Sequence, residues 1–317
     1  MDIKEKKAAG SAALLWKEMK RNKVAYAYIA PFYIIFAIFG LFPIVSGFVI
    51  SFFNWNGSNA MKFIGLKNYT DLLTDPMFWR SVYNTLFIGL IAHIPILFGG
   101  LVLAYVLNSD LIRHRNIFKT IYFLPVVASA VAITLVFQLM FGFNFGSINF
   151  FLQEAGFSKI NWLGGTGAFI KPAVIIMFAW KWVGWNMVIY LAGLQGISKD
   201  IYEAAIVDGA NHGNIFFRIT IPLLKPIIAF TMINSSIGTM NLFTEPFVLT
   251  NNIRGGVGSQ GMTVMMYLMD KAPFGNNLYS YASACAYVVT AIIMLLSVIS
   301  MNTVGKTDDA KEGRKRK

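Results

Sequence analysis

Residues 26–53 read YAYIAPFYIIFAIFGLFPIVSGFVISFF, which is 28 consecutive positions without a charged side chain. A helix of about 20 apolar residues crosses a bilayer, so this run is long enough to span one. It is also longer than the roughly 7–15-residue apolar core of a signal peptide, and it ends in bulky aromatic residues instead of a small-residue cleavage site. The run therefore predicts a retained transmembrane helix, preceded by a basic tail at residues 1–25.

The remainder of the chain repeats this pattern. Hydrophobic residues make up 56% of the 317 positions, whereas a soluble domain has about 45–50%. The segments are continuous, so they predict helices and not the alternating strands of about 10 residues that form a membrane barrel. We expect an all-α polytopic membrane protein whose membrane domain covers 26–301, with six spans near 26–53, 81–107, 118–141, 170–194, 222–247 and 280–301.

The basic residues indicate the orientation of these spans. The net charge is +12, and 19 of the 27 lysines and arginines lie in the two tails, the 108–119 loop and the 195–225 region. Because basic loops remain on the cytoplasmic side, both termini are predicted to be cytoplasmic in a cell-membrane protein. The charge thus reports topology and not a nucleic-acid partner, and the tail at 302–317 is expected to contact solvent or lipid head groups. With a single cysteine and no cluster of metal-binding residues, no metal and no cofactor are predicted.

One cytoplasmic loop, at about 198–221, differs from the others in having helix-capping signals. Residues 198–211 read SKDIYEAAIVDGAN. Asp200 and Glu203 predict the start of a short helix, Gly209 predicts its end, and Asn211 predicts the cap of a second one. Pro222 is predicted to open the fifth span. From the residues alone, an amphipathic helix resting on the membrane and a rigid element that transmits a push are equally good interpretations.

A family resemblance separates these two interpretations. The pattern EAA-x-x-DGA at 203–210, followed by F-x-x-I-x-x-P-x-x-x-P at 216–226, resembles the coupling loop of ATP-binding-cassette (ABC) importer permeases. Further similar features are Asn84-Thr85, the Trp182–Trp185 segment, and Leu249-Thr250 followed by Gly255-Gly256. These outer features resemble the maltose and glycerol-phosphate type of sugar importer, although Val257 stands where that family usually has proline. In the family this loop docks on the ATPase, which implies contact through Glu203, Ala204, Ala205, Asp208 and Gly209.

The resemblance also implies the function and the partners. The expected fold is the six-helix bundle of a type I importer permease, which moves a sugar or oligosaccharide delivered by an extracytoplasmic binding protein. The expected partners are a second permease subunit, homologous or identical, two cytoplasmic ATPase subunits, the binding protein, and membrane lipid. The chain itself is not expected to be an enzyme, because it has no phosphate-binding P-loop and no nucleophile–base pair.

Candidate residues for the substrate path lie in the fourth and fifth spans. The resemblance implies Trp182, Trp185, Ser235, Thr239 and Leu242 for this role, while Asn241 and Glu245 are added because they are polar among apolar neighbours. Interfacial anchoring is the simpler interpretation of the tryptophans.

Three ionisable residues are predicted at membrane depth. His93 is expected to bond a backbone carbonyl near Pro95, and Lys181 is expected to reach the membrane interface. Glu245 is the only acid available for ion coupling, which counts against a secondary transporter. The absence of paired catalytic residues counts against a membrane-embedded enzyme.

Overall fold

A computed structural model describes residues 19–109 and 112–315, with side chains described up to residue 299, and this part of the chain is almost entirely helical. The basic residues of the N-terminal tail before residue 19, and the side chains of the C-terminal tail, lie outside the described residues. A two-residue hairpin pairs β1 (Phe53–Asn54) with β2 (Lys62–Phe63). The helices are α1 (Lys23–Ile50), α2 (Lys67–Thr74), α3 (Pro76–Asn108), α4 (Arg115–Val127), α5 (Ala130–Met140), α6 (Ser147–Glu154), α7 (Ile170–Gln195), α8 (Lys199–Val207), α9 (His212–Met240), α10 (Thr244–Thr250), α11 (Val264–Lys271) and α12 (Tyr279–Lys315), with a 3₁₀ turn at Val257–Ser259.

Within residues 19–109 and 112–315, five continuous helices are long and apolar enough to span a membrane, and there are six such spans if α4 and α5 are counted together as one. The predicted single span at 118–141 is wrong as a continuous helix, because α4 and α5 are bent by 97°. Ala128 and Ser129 have extended backbone conformations between the two helices. The sequence VVASAVA at 126–132 has neither proline nor glycine, and Pro125 lies inside α4, three residues before the bend.

Each of α1, α3 and α9 contains one π-helical segment next to a proline. These segments are Ala37–Leu41 before Pro43, Ile94–Gly99 around Pro95, and Ile215–Thr220 before Pro222. Proline lacks the N–H that would bond the preceding turn, and a widened turn relieves the clash of its ring with a carbonyl. Pro222 therefore does not open the fifth span as predicted, since α9 is already helical from His212.

The fifth span also ends earlier than predicted. Helix α9 stops at Met240, and α10 begins separately at Thr244, whereas the sequence predicted one span over 222–247. Glu245 consequently lies in the first turn of α10 and not in a transmembrane helix. This break places Asn241 in the turn that follows α9, whereas Thr244 and Glu245 lie in α10.

Helix α7 is the most buried of the spans, and α1 is the least. A Cβ atom added at Gly184 would lie 1.8 Å from the carbonyl oxygen of Tyr122, so α4 crosses α7 in backbone contact at this glycine. No side chain of α1 over Lys23–Ile50 is buried. Its contacts with α12 include the Tyr287 hydroxyl, which donates to the carbonyl of Ile44. Helix α7 is thus the central element against which functional side chains are positioned.

Three asparagines tie the connecting segments to the helices. Asn68 donates to the carbonyls of Ser51 and Phe53 at 2.8 Å each. Asn84 donates to those of Ser259 and Met262 at 3.0 Å each, and Asn149 both donates to and accepts from the backbone of Ile160. These bonds satisfy buried backbone groups that no regular ladder reaches.

Candidate functional site: a coupling helix and a cavity between spans

The loop at 198–221 contains the predicted short helix, with one change in its N-cap. Ser198, and not Asp200, caps α8, because its hydroxyl accepts a hydrogen bond from the Asp200 N–H at 3.3 Å. Asp200 lies in the first turn, where its charge is favourable to the helix dipole. A serine two residues before an aspartate offers two possible caps, and the sequence pattern alone favoured the wrong one.

The predicted end of α8 is confirmed. Gly209 has φ +80°, a left-handed conformation that favours glycine. Its N–H donates to the carbonyl of Ile206 at 3.0 Å, and the Ala210 N–H donates to that of Ala205 at 2.9 Å, which is a Schellman motif. The predicted second cap is also confirmed, since the Asn211 side chain accepts from the Asn214 N–H at 2.8 Å.

The two alanines of the EAA pattern differ in their exposure. Ala205 is buried, with 7% of its surface exposed, so it supports α8 from beneath and is not available for a surface contact. Ala204 is exposed, as are Glu203, Asp208 and Gly209. Three apolar side chains, Ile201, Ile206 and Val207, are exposed on the same short helix, and Val207 reaches 86%. The predicted contact set therefore divides into four surface residues and one buried support.

Helix α8 is joined to the membrane spans through the start of α9. Phe216, just inside α9, is buried in an apolar cluster with Leu101 of α3 and Tyr190 of α7. Its ring lies 4.9 Å from that of Tyr105, centroid to centroid. A cavity of about 440 Å³ separates α8 from the end of α3 and is lined by residues that include Tyr105, Tyr202 and Ile206. Motion of α8 would thus act directly on α9.

Three of the predicted substrate-path residues line one cavity between α3, α7 and α9. This cavity, of about 230 Å³, is lined by Trp182, Trp185 and Ser235, together with Asn234 and four apolar or glycine positions, Ile96, Phe178, Ile237 and Gly238. The indole Nε1 atoms of Trp182 and Trp185 are buried and have no hydrogen-bond partner within the described residues. We refer to this space as the indole cavity. Sequence reasoning did not single out Asn234, although it precedes Ser235 in an apolar span.

The other predicted path residues lie outside the indole cavity. Thr239 lines a separate cavity of about 250 Å³ on another face of α9, together with His93. Its hydroxyl donates to the carbonyl of Ser235 at 3.0 Å. Leu242 is buried in the core cluster beside α7, and Asn241 is exposed, with its amide bonded to the Ile237 carbonyl at 2.9 Å.

His93 and Lys181 had structural expectations of their own. The expectation that His93 bonds a backbone carbonyl is confirmed, with Nδ1 paired to the carbonyl of Gly89, while Nε2 is buried without a partner in the described part of the chain. The expectation that Lys181 reaches the membrane interface is wrong. Lys181 is buried, and its Nζ donates to Oε1 of Glu245 at 2.7 Å.

The Lys181–Glu245 pair also changes the interpretation of Glu245. Its carboxylate is directed to Lys181 and is not among the residues lining the indole cavity. The two residues are 64 positions apart, on α7 and α10. The only signal available in the sequence was the presence of two opposite charges among apolar segments, and that signal gives no distance.

Within the described residues, the chain is almost entirely helical, has helices long and apolar enough to span a membrane, and has a cavity between three of them, which is the architecture of a polytopic membrane protein. Comparison with known proteins identifies the family to which this membrane protein belongs. Residues 113–306 match the family model of binding-protein-dependent transport system inner membrane components. The chain belongs to this family, whose members are the membrane-spanning permease components of such systems.

The most similar relatives include two permeases named for oligosaccharide and disaccharide transport. The arabinooligosaccharides transport system permease protein AraP of Bacillus subtilis (strain 168) is 37% identical over 298 residues, with 92% of each chain covered. The lactose transport system permease protein LacF of Rhizobium radiobacter is 36% identical, covering 86% of this chain and 91% of the relative. Both lengths match nearly throughout, so the predicted family resemblance is confirmed.

A solved structure shares the fold. A chain of a bacterial alginate ABC transporter, crystallised in complex with an alginate pentasaccharide-bound periplasmic protein, superposes with a TM-score of 0.75 at 23% identity. The match covers 91% of this chain and 96% of that one. The predicted fold class, an all-α importer permease, is thereby confirmed.

Proposed function

We propose that this permease translocates a sugar or small oligosaccharide that an extracytoplasmic binding protein delivers, and that ATP hydrolysis in partner subunits drives the movement. The support from the comparisons is that relatives at 36–37% identity are named for arabinooligosaccharide and lactose transport. The single observation in the structure that carries the proposal is the indole cavity, which Trp182 and Trp185 line, and the buried indole N–H groups of both residues have no hydrogen-bond partner within the described residues.

The chemistry of the indole cavity suits a saccharide. An indole offers an apolar ring for the C–H face of a sugar and one N–H donor for a hydroxyl oxygen. Ser235 and Asn234, on the facing helix, add a hydroxyl and an amide that both donate and accept. Sites for small ligands typically combine such apolar walls with a few polar groups that fix orientation. None of the residues lining this cavity is charged, which favours a neutral sugar.

The cytoplasmic surface suits contact with an ATPase. Glu203, Ala204, Asp208 and Gly209 form the proposed contact surface of α8, and Ala205 holds α8 against the spans. Closure of two ATPase subunits would displace α8. Because α9 is continuous from His212, beside α8, to Met240, the displacement would reach Ser235 in the indole cavity along a single helix. That connection couples ATP binding to access at the cavity.

The remaining partners are a second permease subunit, homologous or identical, and membrane lipid. Helix α1 exposes large apolar side chains along its length, including Phe39 at 77% and Phe42 at 68%. Such a face is stable in hydrocarbon or against another transmembrane subunit. The proposed arrangement has both termini in the cytoplasm, and the excess of basic residues in the tails and in two loops supports this orientation.

Reconstitution into proteoliposomes tests the proposal. The complete complex, with its binding protein added outside, should accumulate a labelled oligosaccharide only when ATP is enclosed. A panel of arabino-oligosaccharides, lactose and trehalose would give the substrate. Uptake that needs an ion gradient and no ATP would assign the chain to secondary transport and refute the proposal. The test variant is Trp182→Phe, which keeps an aromatic ring and removes the indole N–H, and it should reduce uptake without preventing assembly.

A further inference from the structure

The Lys181–Glu245 ion pair joins two elements that are otherwise separated by a break in the chain. Its atoms are 2.7 Å apart, and the side chains are only 8% and 10% exposed. Lys181 lies on α7, and Glu245 lies in the first turn of α10, beyond the interruption at residues 241–243 that ends α9. The pair therefore fixes α10 to α7 independently of the connection through α9.

The same lysine contacts a residue of the indole cavity. The Nζ atom of Lys181 lies 5.5 Å from the ring centroid of Trp182, within the range of a cation–π interaction. Trp182 is the neighbouring residue on α7 and lines the cavity, as does Gly238 near the end of α9. A displacement of Glu245 would thus move the Lys181 ammonium group, which contacts the Trp182 ring.

Stability alone does not account for a buried ion pair in this position. Removing two charges from water costs several kcal/mol per ion, and replacing such a pair by uncharged side chains of similar size is often neutral for stability or favourable. A fixed hydrogen-bonded geometry is the property that the uncharged replacement loses. The pair is therefore better explained by the orientation that it imposes on its neighbours.

We propose that Lys181 and Glu245 are a positioning pair that orients Trp182 at the indole cavity and holds α10 against α7, so that ATP-driven motion of α9 is coupled to movement of the sugar. This inference rests on the proposed transport function. It assigns to Glu245 a role different from lining the path, and it assigns a functional role to Lys181.

The ratio of sugar moved to ATP hydrolysed in proteoliposomes tests the pair. The double variant K181M/E245Q removes both charges and keeps side chains of similar length, so it leaves no unpaired buried ion. We expect it to assemble with unchanged thermal stability while the transport ratio falls by about tenfold or more, since misplacement of positioning groups by about 1 Å costs up to 10²-fold. The matched control K67M/D71N removes an exposed ion pair of 3.3 Å in α2 and should keep the wild-type ratio.

Two further variants complete the test. K181R keeps the charge and should retain most of the wild-type ratio. In the K181M/E245Q background, Trp182→Phe should add little to the defect, because residues that act as one unit give non-additive effects. A wild-type ratio in K181M/E245Q, a fully additive effect of Trp182→Phe, or failure of K181M/E245Q to assemble would each overturn the inference. Absence of ATP-driven sugar uptake in the wild-type complex would instead refute the proposed function.

Discussion

Replacing Gly209 by valine tests the coupling helix at its C-terminal cap. Gly209 has φ +80°, and a Cβ added there would meet nothing within 4 Å. No clash therefore opposes a side chain, and the cost is the backbone conformation alone, which is roughly 1–2 kcal/mol for an L-residue and larger for a β-branched one. A cost of that size lowers the population of the capped conformation about 5–30-fold. Molecules that leave the capped conformation lose the two Schellman hydrogen bonds to the carbonyls of Ile206 and Ala205.

The assay is stimulation of ATP hydrolysis by loaded binding protein in the reconstituted complex. Gly209→Val should lose most of that stimulation and most uptake, while basal hydrolysis by the ATPase subunits and insertion of the spans are unchanged. Gly209→Asn is the matched control, since asparagine tolerates the left-handed region and should retain activity. If Gly209→Val matches the wild type in both stimulation and uptake, the cap at 209 is not part of the coupling element.

Three other predictions concern different parts of the chain. Ala204→Phe should weaken binding of the ATPase and leave the thermal stability of the isolated permease unchanged. Ala205→Phe should lower that stability by about 1–3 kcal/mol through overpacking, as thermal unfolding would show. Equal stability of the two variants would contradict the buried position of Ala205. Trp185→Ala should lower uptake with assembly intact. Thr239→Leu should mainly lower stability, because the Thr239 methyl packs closely on Gly89, 2.6 Å from where a Cβ atom of that residue would lie. Lower uptake in Thr239→Leu together with lower stability in Trp185→Ala would place the substrate path in the cavity that Thr239 lines. For Asp75, burial acts to raise the pKa, but hydrogen bonds from the Tyr267 hydroxyl at 2.5 Å and the Met77 N–H, with Lys271 nearby, lower the pKa below the usual 3.8. The stabilisation by the ionised carboxylate is therefore present above pH 3.8 and is lost as the pH falls through the folded-state pKa. The melting temperatures of wild type and Asp75→Asn should converge below about pH 3.8, and a constant difference between them would refute this prediction.

The amino-acid sequence alone determined the features that depend on local chemistry. Long apolar runs predict helices in lipid, because every backbone polar group must be satisfied within the segment. Gly209 and Asn211 predicted their caps correctly, since a left-handed turn and a side-chain cap involve only residues within one turn. The EAA–DGA pattern and its spacing likewise identified the family, which the comparison with known relatives confirmed.

Only the tertiary structure decided where helices bend and whether a given side chain is buried, exposed or directed into a cavity. The bend between α4 and α5, the burial of Ala205 beside the exposed Ala204, and the separation of Thr239 from the indole cavity all depend on which helix packs on which face. Lys181 and Glu245 show the reason most clearly. A charge at membrane depth is stable only with a partner. The partner of Lys181 is 64 residues away, and the packing of α10 against α7 brings the two together. No short-range pattern in the sequence encodes that packing.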